Sequence, residues 1–209
     1  MRRLLTLALV ASGCYAAAFG NTHRYDDVVA NLSYSGARRV AVATRDERPY
    51  VVSGDKQPQF VGLTRGGYNN PFDVKTTSGQ PLADDMSQAL ERSLDAKGFD
   101  AAAVLVVPGE DEGGVVAKAG AAGAERVLVL TLREWKSDTM LATWLRYDVS
   151  LRVLDPKGAL LGEASLVESQ ELGGSPYDPP ANAERAIPRA FRRALEALLE
   201  EPAIAAALR

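Results

Sequence analysis

Residues 126–169 read RVLVLTLREWKSDTMLATWLRYDVSLRVLDPKGALLGEASLVES. Arg126 to Trp135, Thr143 to Leu154 and Ala159 to Ser169 alternate apolar and polar residues, the period-2 pattern of half-buried strands. Asp155-Pro156-Lys157-Gly158 joins the second run to the third with strong turn chemistry. If Trp135 and Trp144 flank the first loop and face each other, Leu128, Leu130, Leu132, Leu145, Tyr147, Val149 and Leu151 share one sheet face. Carried through the turn, the register adds Leu160, Gly162, Ala164 and Leu166 to it. The opposite face receives Thr131, Arg133, Trp135, Trp144, Arg146, Asp148, Ser150, Arg152, Glu163 and Ser165. A slip of one residue destroys this sorting, so the apolar face is expected under helices and the polar face open.

Upstream, Arg38 to Thr44 and Phe99 to Val107 read as strands, separated by a helix from Pro81 to Lys97. Leu82, Met86, Leu90 and Leu94 form its i+4 stripe, Asp84 and Asp85 complement its N-terminal dipole, and Gly98 stops it. Residues 115–122 are Ala/Gly-rich and suggest a weak helix. A closing helix covers about 182–201, with Ile187, Phe191, Ala194, Leu195 and Leu198 inward, Pro188 starting or kinking it, and another turn or two over 202–208. Arg45 to Gln80 is rich in Gly and Pro and predicts a long connection. The order β-α-β-α-β-β-β-α predicts an α+β (or α/β) two-layer sandwich, a mixed sheet with helices packed on one face.

The N-terminus has another logic. Arg2 and Arg3 precede a compact apolar run, Leu4 to Ala11, and Ala11-Ser12-Gly13-Cys14 has the small residues and thiol of a lipoprotein cleavage site. This predicts a signal peptide over 1–13, acylation (palmitate among the chains) of Cys14, a tether over 14–37, and one domain over 38–209. Tyr15 in place of Asp favours the outer membrane over the inner one. The alternative is soluble secretion after cleavage near Ala16-Ala17-Ala18.

Composition bounds the chemistry. The 209 residues carry a net charge of −3, falling to 22 basic against 27 acidic residues once Arg2 and Arg3 leave with the leader. No basic stripe suits nucleic acid. The single histidine, His23, falls in the expected tether, which leaves no Ser-His-Asp or Cys-His set for the domain. Zinc spacing and a Walker loop are absent, so no catalytic residue, metal or cofactor is expected.

Several segments resemble the YajG-type family of bacterial envelope lipoproteins. They are Arg45-Asp46-Glu47-Arg48, Val61-Gly62-Leu63-Thr64-Arg65-Gly66-Gly67-Tyr68-Asn69-Asn70-Pro71, and Pro81-Leu82-Ala83-Asp84 opening a helix that closes on Lys97-Gly98-Phe99. Leu130-Thr131-Leu132, Arg146-Tyr147-Asp148-Val149 and the closing amphipathic helix extend the likeness over about 38–200. The family commonly has Gly where Asn69 stands. The resemblance implies an envelope lipoprotein without an assigned activity.

The expected function is a non-enzymatic, periplasm-facing outer-membrane lipoprotein that binds an envelope protein or glycolipid. The alternatives are an accessory of a lipid or lipopolysaccharide transport machine and a carboxylate-based cell-wall hydrolase. Candidate binding residues are Arg65, Tyr68 and Asn70 in one loop and Arg133, Trp135, Trp144 and Arg146 on the open face, residue types common at interface anchors.

Overall fold

The computed structural model describes residues 22–209 apart from Gly67 and Pro108; the leader, Cys14 and the chain up to residue 21 lie outside the described residues. Strands are β1 (Thr22–His23), β2 (Arg39–Asp46), β3 (Phe60–Arg65), β4 (Pro71–Thr76), β5 (Asp100–Ala103), β6 (Arg126–Thr139), β7 (Ala142–Leu154) and β8 (Leu160–Gly174). Helices are α1 (Pro49–Val52), α2 (Leu82–Asp95), α3 (Glu112–Ala121), α4 (Pro179–Leu199) and α5 (Pro202–Leu208). They form the mixed α+β sandwich that the sequence leads one to expect. Among the described residues its sheet has eight strands.

Strand β6 organises the sheet. One edge pairs in parallel with β2 along Arg126–Leu132 and then with β3 along Ser137–Thr139. The other edge pairs antiparallel with β7, which carries β8. Alternate residues of β2 and β6, such as Val40, Val42, Leu128 and Leu130, pack with α2, α4 and α5 in the main core. The intervening Ala41, Ala43, Val127 and Val129 meet Val115 and Ala119 of α3, so, against the expectation of helices on one face only, this short helix covers one end of the opposite face. The expected α2 stripe is fully buried, as are Ile187, Phe191, Leu195 and Leu198 of α4. Gly98, at φ +87°, lets the chain leave α2. Asp178 caps α4 by accepting from the Ala181 amide at 3.0 Å, and Pro188 lies inside that helix.

Four expectations are corrected. Residues 22–37 are no tether. Tyr25, Val28, Ala30, Leu32 and Tyr34 are buried in the main core, and β1 pairs with β4. The backbone of this strap bonds to side chains instead of a ladder: the Ala30 amide donates to Ser93 Oγ at 2.9 Å and the Asn31 amide to Glu196 Oε1 at 3.0 Å. Side-chain partners impose no period, so no strand or helix pattern marks the segment.

The connection over 45–80 contains α1 and the β3–β4 hairpin. These strands have six residues each and open on Phe60 and Pro71, too short for alternation to stand out. The strand expected over 99–107 pairs only along Asp100–Ala103, and Leu105 and Val107 are exposed beyond it.

The fourth correction is Trp135. A bulge between Leu132 and Glu134 inserts one residue, so Glu134 faces Asp148 and Trp135 faces Tyr147. Trp135 therefore enters the core, against Tyr25, Tyr147 and Phe191. A second irregularity pairs Leu160 with Leu154, which takes Leu160 out of the apolar set as well. The remainder of the expected apolar and polar sorting holds.

Two substitutions test this packing. Trp135 Nε1 donates to Tyr25 Oη at 3.0 Å inside the core. Tyr25→Phe removes the acceptor and strands a buried donor, so urea unfolding should show a loss of about 1–3 kcal/mol. Leu90→Ala should cost about 2–5 kcal/mol in the same measurement, the usual range for a truncated core leucine.

Candidate functional surfaces

The β3–β4 turn holds Arg65, Tyr68 and Asn70. Arg65 grips Asp138 of β6 bidentately, with Nε–Oδ1 2.7 Å and Nη2–Oδ2 2.5 Å, and its Nη1 lies 3.3 Å from Asn69 Oδ1. Asn69 has φ +62°, the left-handed region that glycine adopts freely and asparagine tolerates better than most residues. Tyr68 and Asn70 point to solvent.

Trp144 and Arg146 stay exposed on the face expected, and Arg133 does too, as the bulged residue. Arg133 donates to Asp148 Oδ1 at 3.3 Å and to Ser150 Oγ at 3.1 Å, so its charge is matched. Arg146 lies directly across from Lys136, and among the described residues neither has a carboxylate within ion-pair distance. Trp144 pairs with Asp138, the residue that Arg65 holds. The loop and the sheet face, separate in sequence, thus meet at one end of the sheet.

A cleft of about 760 Å³ lies elsewhere, where β2 ends. Its floor and walls come from the end of β2, from α1, from the first turn of α2 and from the chain between β5 and α3. Val52, Leu105 and Val107 are exposed large apolar side chains that line it. Most of its charges are already matched: Arg45 pairs with Glu47 at 2.8 Å, Lys118 with Glu110 at 2.7 Å, and Asp111 caps α3 through the Gly114 amide. Asp84 is the exception. No ion-pair partner is found for it among the described residues, and burial raises its carboxyl above the usual range. Sequence reading missed this cleft because its walls come from four separate segments; the one local signal was the apolar run Val104–Val107 continuing past the strand.

The structure also corrects the place of His23. It is buried in β1, its Nδ1 donates to the Thr22 carbonyl at 3.0 Å, and its Nε2 accepts from Ser137 Oγ at 3.1 Å. This Ser–His contact is sealed from solvent, since both residues are buried. Burial lowers the imidazole to about 4 against the opposing pull of the Thr22 carbonyl, so the ring is neutral near pH 7. Among the described residues no three His, Cys, Asp or Glu side chains converge as a metal site, and no helix is long and apolar enough to cross a membrane.

No protein-family model matches the chain, and no curated protein matches its sequence. The YajG-type likeness therefore rests on the quoted residues. Among solved structures the chain is similar to XCC0632 of Xanthomonas campestris, of the DUF330 family, with TM-score 0.57 and 11% identity over 88% of this chain and 96% of that one. This likeness concerns the fold. Looser matches are the PelC dodecamer from Paraburkholderia phytofirmans, TM-score 0.44 and 13% identity over 82% and 93%, and lipoprotein GNA1162 from Neisseria meningitidis, TM-score 0.30 and 13% identity over 76% and 99%.

His23 makes a pH prediction. Its folded value near 4 lies below the 6.5 of the unfolded chain, so the stability it contributes is intact above pH 6.5 and is lost as pH falls towards 4. The full loss is about 3 kcal/mol, from 1.36 kcal/mol per pKa unit. Asp85, pushed up to about 6 by burial, acts oppositely and favours folding as pH falls through 6. Comparing wild type with His23→Asn cancels that contribution. Urea midpoints between pH 7 and 4 should fall more steeply for wild type, and parallel slopes would show that the ring is not sealed.

Proposed function

We propose that the chain is a non-enzymatic lipoprotein, acylated at Cys14 and facing the periplasm from the outer membrane, that binds an amphiphilic component of the envelope in the cleft at the end of β2. The observation that carries this is the cleft itself. Its volume lies within the range of about 300–1,000 Å³ common for small-molecule sites, and its location at the carboxyl ends of β2 and β5 is where open sheets with parallel strands usually bind ligands. The ligand chemistry follows from the lining. Val52, Leu105 and Val107 suit an aliphatic chain, and the unmatched Asp84 suits an ammonium or hydroxyl head group.

An apolar cleft favours the reading as an accessory of lipid or lipopolysaccharide handling over that of a purely protein-binding module. Catalysis is no part of the proposal. The His23–Ser137 pair is closed to substrate, and among the described residues Asp84 lacks a second carboxylate left unmatched beside it in the cleft.

Native mass spectrometry of the gently purified protein should detect a bound amphiphile, and a fluorescent fatty acid should bind in its place. Val52→Asp with Leu105→Asp should leave the melting temperature nearly unchanged, because both side chains are exposed. The pair should weaken fatty-acid binding by about tenfold or more, since each buried apolar contact removed is worth on the order of 1.5 kcal/mol. Protein that purifies free of lipid and binds the probe equally well with and without the two carboxylates would defeat the proposal.

A further inference from the structure

The sheet ends in three adjacent turns. The β3–β4 turn follows Arg65, the β6–β7 turn follows Thr139, and the chain leaves β8 at Gly174. Register brings them side by side: Thr64 pairs with Thr139, Ala142 pairs with Gly174, and the Ser175 amide donates to the Leu141 carbonyl at 3.1 Å. These turns carry the most exposed large apolar and aromatic side chains of that end. Tyr68 is 93%, Leu141 64%, Tyr177 96% and Met140 46% exposed, with Phe72 and Trp144 half-exposed just behind them. Isolated exposed apolar residues are ordinary, but four on contiguous turns, with two more on the strands just behind, form a surface that water solvates poorly.

The residues behind the apolar turns are ordered by depth. Trp144 lies a short step inward from Leu141, on the sheet's open face. Arg146 and Lys136 come next on that face, cross-strand neighbours without a carboxylate in ion-pair range among the described residues. Two cations facing each other across a ladder destabilise a strand pair unless something anionic lies over them. An apolar tip, then the Trp144 ring between Asp138, which Arg65 neutralises, and Glu171, then two unmatched cations about 7 Å further in follows the order of a bilayer surface, where acyl chains give way to the interface favoured by Trp and Tyr and then to phosphates.

Chain direction points the same way. β1 pairs in parallel with β4, Thr22 with Lys75 and His23 with Thr76. The chain therefore enters β1 from the side where β4 begins, at Pro71 beside the turns. Thr22 is four residues from that end, about 13 Å along a strand. Cys14 lies eight residues before Thr22, and eight residues span at most about 29 Å.

We propose that this apolar tip is a membrane-docking surface: Tyr68, Met140, Leu141 and Tyr177 insert into the interface of the bilayer that holds the lipid anchor, with Lys136 and Arg146 meeting anionic head groups. The inference rests on the reading of Cys14 as the acylated residue. It adds that the domain lies tip-down on the bilayer instead of swinging freely above it.

The test uses the full chain with a single probe. Cys14 is the only cysteine, and it is either acylated or removed with the leader, so Leu141→Cys supplies one free thiol for an environment-sensitive fluorophore. Lys157→Cys, in the exposed β7–β8 turn at the opposite end of the sheet, is the control. Mature protein is reconstituted into phosphatidylethanolamine–phosphatidylglycerol vesicles with and without brominated acyl chains. The label at 141 should shift to the blue and be quenched by bromine, while the label at 157 should do neither. Protein that floats with the vesicles while its 141 label reports water overturns the docking surface but leaves the anchor standing. A blue-shifted label indifferent to bromine overturns it in favour of a contact with a second protein copy. If mass spectrometry finds no acyl chains, the anchor reading fails separately; quenching at 141 in the unacylated protein would still support the surface, and failure to float would overturn both.

Discussion

The insertion of one residue at Arg133 decides how the rest of the molecule is put together. Up to Leu132 the side chains of β6 alternate between the main core and the α3 side. Without a bulge the alternation would send Trp135 outward and Glu134 inward, placing a carboxylate in the core and an indole in water. The bulge reverses both. Glu134 turns to accept from Tyr50 Oη at 2.6 Å, and Trp135 becomes the largest fully buried side chain. Its ring is the platform on which the N-terminal strap lands, through Tyr25, and on which α4 lands, through Phe191. The same shift points Ser137 inward to meet His23. Moving this one register step would dismantle the core contacts of the strap, β1 and the middle of α4 together.

That dependence also shows what the sequence could and could not disclose. The three long strands, the α2 stripe and the inward residues of α4 were legible because burial over more than ten residues imposes a period. The apolar face was sorted correctly over Leu128–Leu132 and Leu145–Leu151, on either side of the bulge, because each half of the hairpin was internally consistent. The bulge itself has no local signature here: Arg133-Glu134 resembles any pair of surface residues, and the apparent symmetry of two tryptophans about a loop suggested a register that the chain does not adopt. The strap was illegible for a different reason. Its backbone partners are side chains of α2 and α4, far away in sequence, such as Ser93 and Glu196. Its composition of Asn, Ser and Gly is what segments held in that manner share with true linkers.

Of the candidate residues, the positions were readable but their association was not. Arg65 and Trp144 come to flank Asp138 only because β3 continues the edge of β6 that β2 leaves after Asp46. The chain is turned there by Arg48, fully buried, whose guanidinium takes both oxygens of Asp46 at 2.8 and 2.6 Å and donates to the carbonyls of Phe60 and Pro58. A buried ion pair is rarely a net source of stability, but breaking one half of it is costly, so it specifies a path well. In the segment Arg45-Asp46-Glu47-Arg48, two charges hold the crossing from β2 to β3 and the other two line the cleft. A sequence motif that looks like a surface charge cluster joins, in this fold, the cleft at the end of β2 to the end of the sheet where Arg65 and Trp144 lie.

Those surfaces expose similar side chains in opposite shapes, and shape separates their partners. Val52, Leu105 and Val107 stand around a concavity whose walls are set by β2 and α2, so a ligand there must fit a fixed volume and satisfy Asp84. Discrete molecules with an apolar body and one polar head meet that demand; a flat bilayer does not. Tyr68, Met140, Leu141 and Tyr177 stand on turns at the end of the sheet, where their exposure marks a convex surface. A rigid partner could bury them only by supplying a matching hollow for each turn, whereas a fluid layer of lipid closes around any convex shape at little cost in order. Concave apolar surface therefore argues for selection of a molecule, and convex apolar surface beside unmatched cations argues for adhesion to a phase. On the two proposals taken together, the domain holds a small amphiphile while resting on the layer from which amphiphiles come.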